Sequence, residues 1–302
     1  MKVLVTGASG YIGGSVATAL LGAGHRVLGL VRSDERAAEV QGRGIEPLIG
    51  TLDDAGLLAE AARDADAVIN AANAEHRGAV EAILPALAGS NKPFLQTSGS
   101  SIVADLAAGE PTDQVYDEDT PVHPLPGRSE RVALNHTVLA AAQEGVRAVV
   151  ICPSLIYGAG RGVSASSIQV PWLIALARKH GVPRHVGRGE NLWSNVHVDD
   201  LVDLYLLALE KAPAGAFYYV ENGENSMREA CQAIGRMLGL GERTEPMTLA
   251  EAAAEWGEGA ANYTMGSNSR VRAVRARREL GWAPHRPSLL EDIEHGSYKE
   301  AS

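Results

Sequence analysis

Cysteine is scarce in this sequence, which has only Cys152 and Cys231 among its 302 residues. Two distant cysteines can build neither a disulfide framework nor a recognisable set of metal ligands. Basic residues are also outnumbered, with 27 Lys and Arg against 37 Asp and Glu and a formal net charge of −10. An acidic surface disfavours nucleic acid and anionic membranes, because both are bound through cationic patches. We therefore expect no metal site, no nucleic-acid partner and no membrane partner.

Long apolar runs are missing as well. Gly, Arg or Asp interrupts every apolar stretch before it reaches membrane-spanning length, and the start MKVLVTGASG lacks the basic-then-apolar layout of a secretory signal. With so few cysteines, these features predict a cytoplasmic location. The densest basic run, RVRAVRARR at 270–278, is predicted to be a solvated helix face and not a nucleic-acid arm.

Short apolar runs that alternate with helical stretches are what the chain does contain. Seven of these runs have the length and composition of buried strands: Lys2–Thr6, His25–Val31, Ile45–Ile49, Ala67–Ala71, Pro93–Thr97, Arg147–Cys152 and Ala216–Val220. Strands separated by helices pair in parallel through right-handed crossovers, and nearly continuous apolar strands suit a sheet covered on both faces. The pattern predicts an α/β fold with a Rossmann-type, doubly wound parallel sheet.

The rhythm changes after Pro153, where a segment rich in Gly and Ser precedes mostly helical stretches. Residues 1–157 and about 192–222 are predicted to form a dinucleotide-binding domain. Residues at about 158–191 and 223–302 are predicted to form a smaller substrate-binding cap. Such a cap would cover the carboxyl edge of the sheet, where open α/β sheets bind ligands.

A glycine-rich turn, TGASGYIG at 6–13, joins the first predicted strand to the first predicted helix. Its Gly7, Gly10 and Gly13 are spaced three apart, and a side chain there would block backbone approach to a pyrophosphate. The amides at the start of the helix would then meet the phosphate charge. The alternative is a tight turn without a ligand, but the strand–turn–helix context favours a dinucleotide site.

The residues after the second predicted strand bear on the choice between NAD and NADP. An NAD-selective site would place a carboxylate at this strand end, whereas Arg32 and Ser33 stand here. Arg32 can pair with a 2′-phosphate and Ser33 can add a hydrogen bond. Alternatively, Arg32 is a surface residue and Asp34 or Glu35 accepts the ribose hydroxyl. The sequence favours NADP (NADPH) as the cofactor and leaves NAD possible.

Several further segments, in the same order, resemble the extended short-chain dehydrogenase/reductase superfamily of the NAD-dependent epimerase/dehydratase type. Besides the glycine turn they are Thr97-Ser98, CPSLIYG at 152–158, VHVDD at 196–200 and ELGWAP at 279–284. The resemblance implies a Rossmann domain with a C-terminal substrate domain, a nicotinamide cofactor and a small-molecule substrate, and it leaves a homodimer open. Carried over by position, it also implies cofactor contacts from Tyr11, Ile12, Leu52, Ala71, Ala72, Thr97, Pro153, Leu155 and Ile156.

The chain departs from the family where its proton relay lies. The catalytic tyrosine, and the lysine four positions after it, would fall within PLPGRSERVALNH at 124–136. This segment has no tyrosine, and the lysine position falls on Glu130 or Arg131. The family's active-site serine falls on Gly99. The chain therefore resembles atypical members that keep the cofactor site without the standard Tyr-x-x-x-Lys pair.

Three other residues are candidate donors to a substrate oxygen: Ser98, Ser100 and Tyr157. Serines at a strand end also satisfy backbone groups, and Tyr157 suits packing at least as well. Trp193 stands where related enzymes place a substrate-binding arginine, which favours a largely uncharged substrate. The sequence predicts an NADP-dependent oxidoreductase that reduces a small ketone, aldehyde, imine or activated alkene. The alternatives are a sugar-nucleotide-like epimerase or dehydratase and a non-catalytic NADP-binding regulatory protein.

Overall fold

The computed structural model describes residues 1–300, and it contains three sheets. The strands are β1 (Lys2–Thr6), β2 (Arg26–Val31), β3 (Glu46–Ile49), β4 (Ala67–Asn70), β5 (Pro93–Thr97), β6 (Arg147–Pro153), β7 (Leu155–Tyr157), β8 (Arg184–Val186), β9 (Leu192–His197), β10 (Ala216–Val220), β11 (Glu224–Ser226) and β12 (Glu245–Met247). The largest sheet has the order β3-β2-β1-β4-β5-β6-β10, and all of its pairings are parallel. The predicted Rossmann-type fold is confirmed.

Helices cover both faces of this sheet and build most of the second half of the chain. They are α1 (Tyr11–Gly22), α2 (Asp34–Gln41), α3 (Ala55–Asp64), α4 (Arg77–Leu87), α5 (Pro126–Ala140), α6 (Gln169–His180), α7 (Val198–Lys211), α8 (Met227–Met237), α9 (Leu249–Trp256), α10 (Glu258–Ala260), α11 (Val274–Leu280), α12 (Leu289–His295) and α13 (Ser297–Glu300). Within residues 1–300, no helix combines the length and apolar character needed to cross a membrane.

Alternating side chains of the strands enter two separate cores. In β1, Val3 and Val5 pack with α1 and α7, while Leu4 points to the opposite face and packs with α3, α4 and α5. All three side chains are fully buried. Because both faces are covered, the strands are apolar at almost every position, which is why their sequences are continuous apolar runs.

The second half of the chain forms its own core, built from α6, α8, α9 and α12. Two small sheets, β7-β9-β11 and β8-β12, lie here and were not predicted, since most of their strands have only three residues and show no periodicity. We call the seven-stranded sheet with the helices on its two faces the first lobe, and the core of α6, α8, α9 and α12 with the two small sheets the second lobe. The chain returns to the first lobe near its end, where Ala276, Leu280 and Trp282 pack in the same core as α1 and α7. This segment lies in the predicted cap range, so its packing departs from that division.

The predicted helix over the basic run is wrong in its first half. Helix α11 begins only at Val274, and Arg270 and Arg272 lie in an extended segment. Both arginines pair with Glu224, at 2.9 and 3.2 Å. Arg270 and Arg272 therefore link this segment to β11. Helical periodicity could not reveal this pairing, because the two arginines lie outside the helix.

Candidate functional site

A groove runs along the carboxyl ends of the central strands. It consists of two adjoining cavities, which share Gly10, Ala71 and Ala72 as lining residues. The sheet-side cavity has a volume of 450 Å³ and extends from the glycine turn to the ends of β2 and β3. The cap-side cavity has a volume of 460 Å³ and extends past the ends of β5 and β6 toward the second lobe. Parallel α/β sheets bind ligands at this edge.

The glycine turn has the geometry of a phosphate cradle. Gly7 has φ +72°, and a Cβ there would lie 2.9 Å from the carbonyl oxygen of Ala71. A Cβ on Gly13 would lie 2.4 Å from the carbonyl oxygen of Gly7, so this glycine lets the turn pack against α1 and does not line the groove. Gly10 caps α1 without a side-chain bond, and the first turn has no acidic residue. The first amides of α1 are therefore available to an anion such as a pyrophosphate.

Two arginines line the far end of the sheet-side cavity, together with Leu52. Arg32 is exposed and has no hydrogen bond or ion pair among the described residues. Arg36, which the sequence interpretation missed, pairs with Glu39 at 2.7 Å. Ser33 does not line the cavity, because its hydroxyl accepts from the Arg36 amide at 3.3 Å and caps α2.

A row of buried polar side chains lies beneath the groove and was also missed. The amide of Asn70 donates to the Gln96 side chain at 2.8 Å, and the hydroxyl of Thr6 bonds the Asn70 oxygen. Thr6 also accepts from the amide of Ala71 at 3.1 Å. The row links the ends of β1, β4 and β5 and fixes the backbone that forms the groove floor. In the sequence, this row is marked by one polar residue at or next to the end of each otherwise apolar strand.

Hydroxyl groups gather in the cap-side cavity at the end of β5, where Thr97, Ser98 and Ser100 are lining residues. The Thr97 hydroxyl lies 2.6 Å from the phenol oxygen of Tyr205 and is engaged there. The Ser98 hydroxyl accepts from the side-chain amide of Asn135 at 2.9 Å, and it also hydrogen-bonds to the thiol of Cys152.

The hydroxyl of Ser100 is less available than that of Ser98. Its oxygen lies 2.7 Å from the hydroxyl of Ser269, and the residue is only 1% exposed. Ser269 also lies 2.9 Å from the Ser100 carbonyl oxygen, so the two serines hold each other. The link joins the strand end to the segment that leads into α11.

Tyr157 does not face the groove. Its ring is fully buried in the core of the second lobe, and its phenol donates to the carbonyl oxygen of Pro287 at 2.7 Å. Burial raises the pKa of this phenol, so proton release is disfavoured further. The structure matches the packing alternative and contradicts the expectation of a donor to substrate. Leu155 is turned into the same core, while Pro153 and Ile156 line the cap-side cavity.

Two arginines of α5 enter the cap-side cavity, and the sequence interpretation had not identified them as site residues. The Arg131 guanidinium donates to the Ser101 hydroxyl at 3.0 Å and to the Glu75 carboxylate at 2.7 Å. Arg128 lies over the ring of Tyr263, 4.5 Å from its centroid. Partial burial, together with the positive charge of Arg131, lowers the pKa of Arg128.

Other buried or clustered titratable groups have structural roles. Burial raises the pKa of the Cys152 thiol to about 12, so it remains protonated at neutral pH. Asp200, Asp203 and His285 bring ligand atoms within 4.8 Å of one another. The Asp200 carboxylate already accepts the backbone amides of His285 and Arg286 at 3.0 and 3.1 Å, which caps that turn.

Comparison with known proteins gives consistent matches. The model of the NAD-dependent epimerase/dehydratase family matches residues 3–220. An oxidase, ucsJ of Acremonium sp, is 33% identical over 99% of this chain and 97% of its own length. The 4-hydroxy-2-methyl-3-oxo-4-farnesyl-3,4-dihydroquinoline-1-oxide ketoreductase of Stigmatella aurantiaca is 32% identical over 94% of this chain and 92% of its own length.

A solved structure shares the fold. The dTDP-glucose 4,6-dehydratase of Bacillus anthracis, in complex with NAD, superposes with a TM-score of 0.77 at 19% identity. The match covers 97% of this chain and 95% of the dehydratase. The similarity therefore extends over both lobes.

Proposed function

The chain belongs to the NAD-dependent epimerase/dehydratase family, and from this membership we propose that it is an NADP-dependent reductase of a small carbonyl compound. In more general terms, it is an NAD(P)-dependent oxidoreductase of the short-chain dehydrogenase/reductase type. One observation carries the proposal. A single groove crosses the glycine turn, with an unpaired arginine at one end and the Ser98 hydroxyl at the other.

The residues along the groove fit a dinucleotide phosphate. The free amides of α1 suit the pyrophosphate, and Gly7 keeps the turn clear of side chains. Arg32 and Arg36 suit a 2′-phosphate, since a guanidinium forms strong charge-assisted bonds with phosphate. No carboxylate lines the sheet-side cavity among the described residues, and Asp34 and Glu35, in the first turn of α2, are not lining residues. These features favour NADP over NAD.

At the other end of the groove, Ser98 is the donor that fits a carbonyl oxygen. When bound, NADPH supplies a hydride to the carbonyl carbon, and the oxygen takes up a proton from water as the alcohol forms. Negative charge develops on that oxygen, so a positioned hydrogen-bond donor lowers the barrier. Asn135 fixes the Ser98 oxygen by donating to it, and the Ser98 proton would turn from the Cys152 thiol to the substrate oxygen. Ser100 is tied to Ser269 and ranks second.

The proposal is tested with NADPH deuterated at C4 and a panel of ketones, aldehydes, imines and activated alkenes. Mass spectrometry should find deuterium in a reduced product, with NADPH consumed in equal amount. Ser98→Ala should lower turnover roughly 10²–10³-fold, the usual loss for one such donor. Ser90→Ala, a serine bonded to the Leu87 carbonyl outside the groove, is the control.

Three outcomes would overturn parts of the proposal. Tight NADPH binding without deuterium in any product favours a non-catalytic regulatory protein. Substrate conversion with no net consumption of NADPH favours an epimerase or dehydratase that keeps its cofactor. Full turnover by Ser98→Ala removes Ser98 from the reaction while leaving the reductase function in place.

A further inference from the structure

The charge of the cap-side cavity is unbalanced. Its charged lining residues are Arg128 and Arg131, and no carboxylate lines it in the described part of the chain. Glu75 pairs with Arg131 from outside the cavity, and this carboxylate is 43% exposed. Arg128 has no ion pair within residues 1–300. Glu75, already paired with Arg131, is the one carboxylate among the described residues that acts on the charge of Arg128.

Arg131 lies beside the position where substrate chemistry is expected. A Cβ built on Gly99 would lie 3.2 Å from its guanidinium Nη1, which is tighter than ordinary van der Waals contact. Gly99 is the position that matches the family's active-site serine, so the guanidinium crowds the space that a serine side chain would occupy. The guanidinium also donates to Ser101, two residues farther along. It therefore lies beside Gly99, the residue after Ser98, at the carbonyl end of the groove.

Helix stability does not account for this pair. Arg128 and Arg131 are three residues apart in the first two turns of α5, so they share a helix face and repel each other. Positive charge near a helix N-terminus also opposes the helix dipole, and the first turn of α5 has no acidic residue. The Nε atoms of both arginines are buried without a hydrogen-bond partner. An anion held by the two guanidinium groups in the cavity would offset the repulsion.

We propose that Arg128 and Arg131 form a two-arginine clamp for the substrate, which is a carbonyl compound carrying a carboxylate, that is, an oxo acid. The inference rests on the proposed reductase function and names its substrate class. Guanidinium groups bind carboxylates through paired, charge-assisted hydrogen bonds, and a bound carboxylate leaves the nearby carbonyl facing Ser98. Trp193 also lines this cavity, and its indole N–H is engaged by the carbonyl oxygen of Ser267, so the two arginines are the groups left to bind the carboxylate.

The test compares acids with neutral analogues of matched shape. The probes are 2-oxohexanoate and 3-oxohexanoate, each with its methyl ester. Reduction by NADPH gives kcat/KM, and calorimetry on the NADP⁺ complex, which cannot reduce these compounds, gives the binding affinity alone. The unmutated protein should prefer at least one acid to its ester about tenfold or more in both measurements. NADPH affinity is measured in parallel for every variant.

The variants Arg128→Gln and Arg131→Gln should each weaken binding of the acid about 10- to 100-fold, the loss typical of one charge-assisted bond. Binding of the ester should change little, and the double variant should lose the preference for the acid. Arg63→Gln, an exposed arginine on α3, controls for a general loss of positive charge.

The outcomes separate this inference from the proposed function. Reduction of acid and ester at equal rates, with equal affinities, overturns the clamp while leaving the reductase in place. A preference for the acid that survives in the double variant, or the absence of any binding by acid and ester, overturns the clamp too. Arginine-dependent binding of the acid without hydride transfer supports the clamp and contradicts the reductase.

Discussion

Arg32 is the residue on which cofactor selectivity is expected to depend. It lies exposed at the end of β2, without a partner among the described residues. NADPH should bind more tightly than NADH, and Arg32→Ala should erase most of that preference. A lost charge-assisted phosphate contact costs roughly 1.5–3 kcal/mol, or on the order of 10- to 100-fold in affinity. Calorimetry with both cofactors measures it.

The control for this prediction is Arg26→Ala, an exposed arginine of the same strand that pairs with Glu46 at 3.3 Å. Its removal should leave the ratio of the two affinities unchanged. Equal affinity of the unmutated protein for NADPH and NADH would contradict the selectivity attributed to Arg32.

Tyr157 is expected to affect stability and not catalysis. Tyr157→Phe removes a buried hydrogen bond and leaves the Pro287 carbonyl oxygen without its donor. The free energy of unfolding should fall by about 1–3 kcal/mol, measured by urea denaturation. Turnover of any reduced substrate should stay unchanged, in contrast to Ser98→Ala. A loss of turnover near 100-fold, with unchanged stability, would instead indicate that Tyr157 donates a hydrogen bond to the substrate.

Among the elements, α9 has an N-terminus whose stability depends on the negative charge of Glu251. Glu251 accepts from the Thr248 backbone amide at 2.7 Å and from Arg184 at 3.0 Å. The pKa of Glu251 is lowered to about 2, mostly by the hydrogen bond from the Thr248 amide and next by the hydrogen bond from Arg184. Because the folded-state pKa is depressed, this stabilisation is complete above the unfolded pKa and is lost as pH falls toward about 2.

Glu251→Gln should therefore unfold at a lower urea concentration than the unmutated protein at pH 7. The difference should shrink steadily between about pH 4.5 and pH 2.5. Glu60→Gln, on the exposed face of α3, should show no comparable difference, since Glu60 has no ion pair within the described part of the chain. If the midpoint urea concentrations of Glu251→Gln and the unmutated protein differed by the same amount at every pH, a role for the carboxylate charge would be contradicted.

The elements also show where sequence reasoning succeeds. Strands such as β1 were predicted because burial on both faces makes every residue apolar, and that property is local. Strands β8 and β12 have three residues each and pair with each other, and β8 packs against α6 and α8, contacts that no local sequence pattern records. The glycine turn was readable because its spacing follows from backbone geometry alone.

The catalytic end of the groove was harder to predict for a related reason. Alignment left the family's lysine position open between Glu130 and Arg131, and only the orientation of α5 turns Arg131 into the groove. The same holds for Tyr157, whose position in the sequence is close to β6 but whose ring faces the other lobe's core. Helix rotation and side-chain direction are tertiary properties, so spacing could not assign them.

At the scale of the whole molecule, the two lobes are expected to unfold together. Ser269 bonds to Ser100 across the lobes, and the C-terminal segment returns to the first lobe, where the Trp282 indole donates to the backbone of Asp200 at 2.8 Å. NADPH at 100 times its Kd should therefore shift one common transition, adding about 2.7 kcal/mol to the free energy of unfolding. Differential scanning calorimetry measures this, with NADH as the comparison. Two transitions, only one of which moves with NADPH, would contradict coupled lobes.

The burial of both cysteines has a practical consequence for measuring motion between the lobes. Cys152 and Cys231 are fully buried, and burial raises the pKa of each thiol to about 12. Neither presents a thiolate to maleimide or iodoacetamide dyes at pH 7.5. A pair of cysteines introduced on exposed faces, one per lobe, would then be the reactive thiols of the folded protein. Fluorescence energy transfer between dyes at those positions would report directly whether the groove closes when a ligand enters it.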